Sequence, residues 1–539
     1  MRSEWTEACL AVRRKDGETL ADLTEVGCAL RPDAPAVYFE GRQITFRELD
    51  DQARRVAAVL LELGVQPGDR VAVHLDNRPE FIAIFLGVMR AGGILVPTNV
   101  MYTAEEMEHI LADSGASVLL VLGALAPKLR GVRDRLHALR HVIEIGNPAL
   151  ANSLAYARLL AEARPDAAAL PRVDPGAVAI LQYTSGTTGH PKGAMVTHAN
   201  VLAVLDSTAN LPGGVDLREE DVTLLVLPLF HSYALNFCLG FAFLHAQPVV
   251  LVGRFDAERV FGLFEQYRVT LFYGAPPMYH AFVHTPGLER YDVSSLRGAF
   301  SGAAPLPVVI LERFRTMTGV EIVEGYGLSE TAPVLTSNAA GPRNKVGAVG
   351  PPIPGVRLRV VDDDDRDVAP GEVGEIVAQG PNIFKGYWNQ PEETRRAMRG
   401  GWFHTGDLAR VDEDGYYYIV DRKKDMIIVS GFNVYPIELE NVILRHPKVA
   451  DCAVIGAHDS YKGEAVKACV VLRPSEQMSE EELVLYCREH LAAFKVPKYV
   501  SFRESLPKTL TGKVLKRVLR AEEEEFSSPS DLAAERLGA

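Results

Sequence analysis

The chain has 539 residues, 47% hydrophobic and 24% charged, with a net charge of −13 and a pI near 5.6. A chain this long is expected to bury more than one core, and its composition is that of an ordinary globular protein. The acidic balance argues against nonspecific binding to nucleic acid or to an anionic membrane surface, so any polyanion must be held by a local basic site.

The opening stretch MRSEWTEACLAVRRKDGE puts charges where a secretory signal needs an apolar run, and no run of 18 apolar residues follows. The expectation is a cytoplasmic protein without a transmembrane segment, with peripheral membrane contact and oligomeric state left open. Cys9, Cys28, Cys238, Cys452, Cys469 and Cys487 are scattered without metal-ligand spacing and read as reduced, mostly core-filling thiols. Thr45 and Glu48 form a capping-box pattern ahead of Leu49, Ala53, Val56, Leu60 and Leu63 at helical spacing, and Gly64 stands where a C-terminal cap would. The turn QPGD, an alternating strand at Val71, Val73 and Leu75, and an apolar helix over about 80–90 follow. This βα alternation predicts parallel strands joined by crossover helices.

The segment YTSGTTGHPKG at 183–193 concentrates four hydroxyls, three glycines and Lys192. Glycines let backbone N–H groups approach phosphate oxygens, while hydroxyls and an ammonium add donors. His190 and Pro191 separate Gly189 from Lys192, and Gly193 follows it, so the G-x-x-x-x-G-K-[ST] loop of P-loop NTPases is excluded. Further along, ALNFCLGFAFLHA predicts a long apolar helix, which can border an acyl tunnel or fill a core. His280 and His284 are spaced i, i+4 without a third ligand and read as a helix-surface pair. The run Asp362–Asp365 reads as a solvated turn between two strands. After Asp421 a smaller unit begins, with strands ADCAVIG and KACVVL and a helix after Pro436, and the boundary is placed at 421–425. Glu522–Glu525 is read as opening a polar tail that frays. No G-x-S-x-G or G-x-G-x-x-G motif is present, which argues against a serine hydrolase of that class and a nicotinamide enzyme.

The 183–193 loop resembles the signature of the adenylate-forming superfamily of acyl-CoA synthetases, luciferases and peptide-synthetase adenylation domains. Its other signatures follow in order: PLFHSYAL, SGAAPL, EGYGLSET, GEIVAQGPNIFKGYW, WFHTGDL, DRKKDMIIVSGFNVYPIELE and LPKTLTGKVLKR. The chain is identified as a member from about residue 20 to 517. The resemblance implies an α/β fold: a large N-terminal domain (1–421) with mixed and parallel sheets and flanking helices, and a smaller α+β C-terminal domain (422–539) that rotates about a hinge.

It further implies ATP, Mg²⁺ and CoA as cofactor and co-substrates. Thr184, Ser185, Gly186, Thr187, Thr188, Gly189 and Lys192 would wrap the phosphates, with Thr184 and Glu330 orienting Mg²⁺. Gly302, Ala303, Glu324, Gly325, Tyr326, Gly327 and Ser329 would line the nucleotide site, with Tyr326 stacking on the purine. Asp407 and Arg422 would contact ribose or phosphate, and Lys513 would neutralise the α-phosphate and the attacking carboxylate. His231 would line the carboxylate entrance, Lys424 would be the hinge and Gly431 would meet the CoA tunnel. Asp421 departs from the glycine of many relatives, and Ile428 from the lysine of some fatty-acid members. The short stretch after Lys513 leaves no room for a carrier domain, so the acyl acceptor is expected to come from outside the chain. The wording VPTNVMYTAEEMEHIL looks most like fatty-acyl and malonyl-type synthetases. The acid is therefore read as a medium- to long-chain fatty acid. An aryl or hydroxycinnamate CoA ligase and a fatty-acyl-AMP ligase serving a carrier protein are the alternatives, and nothing favours a luciferase-type oxygenase.

Overall fold

Thr45 caps the helix Phe46–Glu62 by accepting from the N–H of Glu48, whose carboxylate returns to the Thr45 N–H at 2.8 Å. The helix stops before Gly64, whose φ of +79° glycine adopts without the Cβ penalty. The computed structural model describes residues 3–13, 17–165, 169–184, 191–429, 432–459, 463–509 and 512–526. By backbone proximity they form two units.

The larger unit comprises 1–306, 310–358 and 378–404. One of its sheets has seven strands in the order Leu154–Ala155, His141–Ile145, Val118–Leu122, Arg70–His74, Ile94–Pro97, Val178–Thr184 and Lys192–Thr197. All neighbours are parallel except the last pair. A second has eight strands: Thr336–Ser337, Ile322–Tyr326, Gly298–Ser301, Leu271–Gly274, Thr223–Leu225, Val249–Leu251, Pro35–Phe39 and Arg42–Thr45. It is parallel in the middle and antiparallel at both edges. Crossover helices impose the parallel order, as the βα alternation predicted. Along Arg70–His74, Val71 and Val73 join the main core while Ala72 faces a second cluster with Ile110, Leu119 and Leu129, so both faces of that sheet are covered. The apolar helix Pro79–Arg90 is buried along its whole length except at Glu80. Among the described residues no helix is long and apolar enough to cross a membrane.

The second unit holds 359–377 and the chain from Thr405 on, with 307–309. It therefore starts earlier than the boundary at 421–425. The reason is the antiparallel ladder between Phe403–Val411 and Tyr417–Arg422, which pairs Asp407 with Arg422 and Leu408 with Asp421. These strands continue a four-stranded sheet with Arg357–Val361 and Gly374–Gln379. A five-stranded sheet is built around the hairpin Val449–Asp459 and Gly463–Leu472, and helices Pro436–Ile443 and Glu480–His490 close its core through Leu439, Ile443, Leu483 and Cys487.

The acidic runs divide. Asp362 accepts from the N–H groups of Asp364 and Arg366, both at 2.9 Å, which closes a turn. Glu522 and Glu523 instead lie in the helix Lys516–Phe526, where Glu522 meets Arg503 at 2.6 Å and Glu523 pairs with Lys467. As far as Phe526 the chain is helical where fraying was expected, because those ion pairs and the buried Leu519 hold the helix against the sheet; the rest of the tail lies outside the described residues.

Candidate active site

Thr184 ends its strand directly opposite Lys192, so the two flank the loop 185–190. Ser185, Gly186, Thr187, Thr188 and Gly189 lie outside the described residues. Gly193 follows Lys192 because a Cβ there would sit 3.2 Å from the Tyr183 ring. Beyond it the edge strand is extended by 385–388, through Met195 N–H to Gly386 O at 2.9 Å and Trp388 N–H to Gly193 O at 2.8 Å. This places Tyr387 against Ala194 on the strand that Lys192 opens. Lys192, buried, forms an ion pair with Glu393 and lies 5.7 Å above the Tyr387 ring. The lysine holds the Glu393 carboxyl below the usual range. Glu330, also buried, stands on the single turn Ser329–Thr331 and accepts the Tyr387 hydroxyl at 2.9 Å. Thr184, Lys192 and Glu330 are thus drawn into one neighbourhood.

Two parallel strand ends make a second wall. Ser301 pairs with Glu324, so Gly302 comes beside Gly325. A Cβ on Gly302 would lie 3.4 Å from the Tyr233 ring and 3.7 Å from Gly325 O, and one on Gly327 would overlap the Pro333 carbonyl. Ala303 adopts a φ of +73°. Backbone therefore forms this wall where side chains would fill it. Tyr326 is half-buried at the strand end. Burial raises the Glu324 carboxyl to about 7, against the pull of the Leu306 and Gly347 N–H groups. His231, half-buried, lies on a turn joined to both walls. Phe230 O accepts from Gln182 Nε2 at 2.9 Å, and Ser232 Oγ meets Ser329 Oγ at 3.3 Å.

The apolar helix after His231 makes wide π turns over Tyr233–Leu239 and runs on as α-helix over Gly240–Leu244. Tyr233, Phe237 and Phe241 stack along one edge, and Phe237 meets Tyr273, which stacks on Phe300 at 4.8 Å. The helix is both core and aromatic border, its stack starting at Gly302. Ser301 Oγ and both amide atoms of Asn236 are buried without a hydrogen-bond partner. Sequence reading missed these two, and also Tyr387 and Glu393. Only the π turn, a frequent mark of functional helices, singles out Asn236, and it is a structural signal. His280 and His284, ring centroids 4.2 Å apart, lie on Pro276–His284 away from these walls, with His284 bonded to the His280 carbonyl and facing Arg313.

In the second unit, Asp407 is buried and Arg422 Nε lies 3.4 Å from its carboxylate. Lys513 is half-buried nearby, anchored by its N–H to Thr509 Oγ1 at 3.1 Å. Desolvation and the adjacent Arg422 and Lys424 pull its ammonium down to about 7, opposed by Asp407 and Asp425. Burial and Arg422 lower Lys424 as well. Asp421 accepts from the N–H of Ile437 at 2.9 Å and of Arg422 at 2.7 Å, so it caps the helix Pro436–Ile443, and burial raises it to about 6. That accounts for a carboxylate at a position where glycine would leave the helix start unsatisfied. Gly431 lies outside the described residues.

Known proteins resemble this chain over most of its length. The AMP-binding enzyme family model matches residues 25–388, and the AMP-binding enzyme C-terminal domain model matches 438–513. A long-chain-fatty-acid–CoA ligase of Bacillus subtilis (strain 168) is 39% identical over 94% of this chain and 95% of its own length. A feruloyl-CoA synthase of Amycolatopsis sp is also 39% identical, over 91% of this chain and 96% of its own. The crystal structure of the anthranilate CoA ligase AuaEII with anthranoyl-AMP superposes with a TM-score of 0.87 at 30% identity, covering 94% of this chain and 97% of that one. With both models matched in order along nearly the whole chain, the protein belongs to the AMP-binding enzyme family.

Proposed function

We propose that the protein is an AMP-forming acyl-CoA synthetase acting on a medium- to long-chain fatty acid. A carboxylate is a poor acyl donor, since its leaving group would be oxide and its charge repels nucleophiles. Attack of a carboxylate oxygen on the α-phosphorus of ATP expels pyrophosphate and leaves a mixed anhydride. Attack of the CoA thiol on the acyl carbon then expels AMP. The first step brings anion to anion, so positioning and charge neutralisation dominate it.

The residues suit those tasks. Lys192 and Thr184, opposite each other, suit the polyphosphate, the glycine wall suits a flat base beside Tyr326, and Asp407 with Arg422 suits ribose hydroxyls. The Thr184 hydroxyl and Glu330 carboxylate are hard oxygen donors that would hold Mg²⁺, and the ion would supply charge neutralisation there. His231, on the turn joined to both walls, would line the entrance for the carboxylate. The observation that carries the reading is Lys513: an ammonium whose charge is disfavoured, standing by Asp407 and Arg422, gains most from an incoming anion. The buried and half-buried unpaired thiols support a cytoplasmic setting.

Relatives named for long-chain fatty acids support the acid class. A second reading, an aryl or hydroxycinnamate CoA ligase, is favoured by the aromatic stack from Tyr233 and by the feruloyl and anthranilate relatives. Pyrophosphate release from a panel of saturated and aromatic acids, with and without CoA, separates the two. It also distinguishes CoA from a carrier protein as acceptor.

A further inference from the structure

The residues that the proposed chemistry places on the polyphosphate, Lys192 and Glu330, come from segments far apart in the chain, and one side chain touches both. Tyr387 donates its hydroxyl to Glu330 Oε1 at 2.9 Å and turns its ring face to Lys192 Nζ at 5.7 Å. Its own placement is determined on three sides. The backbone bridges to Ala194 on the strand that carries Lys192, its N–H donates to Thr394 Oγ1 at 2.9 Å, and its ring packs edge-on against Phe384 at 4.8 Å. Glu393, on the helix Pro391–Ala397, holds Lys192 from the other side.

We infer that Tyr387 is a positioning residue for the polyphosphate end of the nucleotide, orienting Glu330 through its hydroxyl and Lys192 through its ring. This rests on the assignment of Glu330 and Lys192 made above. Glu330 stands on a single helical turn, and the phenol helps set the orientation of its carboxylate. A hydrogen-bonded outer partner of a ligating carboxylate commonly governs metal affinity. Tyr387→Phe keeps the ring that packs on Phe384 and lies under Lys192 and removes only the donor, so the fold is preserved.

The test measures binding of α,β-methylene-ATP by calorimetry, with Mn²⁺ and in excess EDTA, to the full-length parent, Tyr387→Phe, Tyr387→Leu and Glu330→Gln. The ratio of the two affinities isolates the metal-dependent part. Tyr387→Phe should reduce that ratio about 10-fold while leaving the EDTA affinity and the KM for the acid unchanged, the low end of what outer partners usually contribute. Tyr387→Leu should also weaken binding in EDTA, because Lys192 loses its ring. A parent-like ratio in Tyr387→Phe with a reduced ratio in Glu330→Gln overturns the inference alone. Parent-like ratios in both overturn the metal assignment with it. An equal loss of metal, nucleotide and acid binding in Tyr387→Phe, with a lowered melting temperature, would make the tyrosine merely structural and also overturn it.

Discussion

Replacing Lys513 tests the electrostatic argument at its strongest point. With its ammonium pulled down to about 7, titration leaves about a quarter of the unliganded protein charged there at pH 7.5. If only the charged form supports adenylation, kcat/KM for pyrophosphate release should fall roughly 25-fold between pH 6.5 and 8.5, since kcat/KM reports the free enzyme's groups. The limb in kcat should lie at higher pH, because a bound anion favours the ammonium. Lys513→Arg, charged throughout, should lose that limb while retaining reduced activity. Lys513→Ala should lower adenylation about 10²- to 10³-fold, as loss of one preorganised charge contact does. Transfer from supplied acyl-AMP to CoA should survive, because the thiol attacks an acyl carbon that carries no charge. Initial rates of pyrophosphate release across the pH range, with thioester formation from synthetic acyl-AMP, supply both readouts. An alkaline limb that persists in Lys513→Arg, or equal losses in both half-reactions of Lys513→Ala, would refute the reasoning.

Three further substitutions probe separate parts of the account. Glu330→Gln removes charge at nearly constant volume and should raise the Mg²⁺ concentration for half-maximal adenylation, with an unchanged melting temperature; a parent-like magnesium titration would remove Glu330 from the metal assignment. Lys424→Pro locks φ in the turn after Arg422 and should let acyl-AMP accumulate on the enzyme while CoA turnover stalls; unimpaired CoA turnover would place the hinge elsewhere. Asp421→Ala strips the cap from Pro436–Ile443 and should cost about 1 kcal/mol in denaturant unfolding, and no loss would show that the helix start is satisfied otherwise.

Local chemistry was legible in the chain and distant pairing was not. Thr45 and Glu48 lie three residues apart and form the box their types announce. The glycines of 302–327 were recognisable from their motifs, and the structure supplies a reason at two of them, where the Pro333 carbonyl excludes a Cβ at Gly327 and the Thr336 carbonyl crowds one at Gly325. Tyr387 lies in the signature GEIVAQGPNIFKGYW, but nothing local ties it or Glu393 to their partners Glu330 and Lys192, which lie 57 and 201 residues away. The acidic run at 522–525 reads as the start of a polar tail in isolation; Lys467 on a strand and Arg503 just after the next one pair with Glu523 and Glu522 and make those two part of a helix instead. The grouping of the chain from Thr405 with the smaller unit rests on β pairing between 403–411 and 417–422, which a reading of composition shifts does not see.

The central claim, activation of a saturated acyl chain as its adenylate before transfer to CoA, is tested most directly by one acid series. Each methylene buried in an apolar site contributes up to about 0.8 kcal/mol, so kcat/KM should climb by roughly fourfold per carbon until the site is filled. Pyrophosphate release measured with and without CoA should rise from hexanoate through at least dodecanoate, with acetate and benzoate poor, and thioester should form only when CoA is present. A preference for benzoate or a hydroxycinnamate over every saturated acid in the series would contradict the fatty-acid assignment, and the absence of pyrophosphate release from any carboxylic acid would contradict adenylation itself.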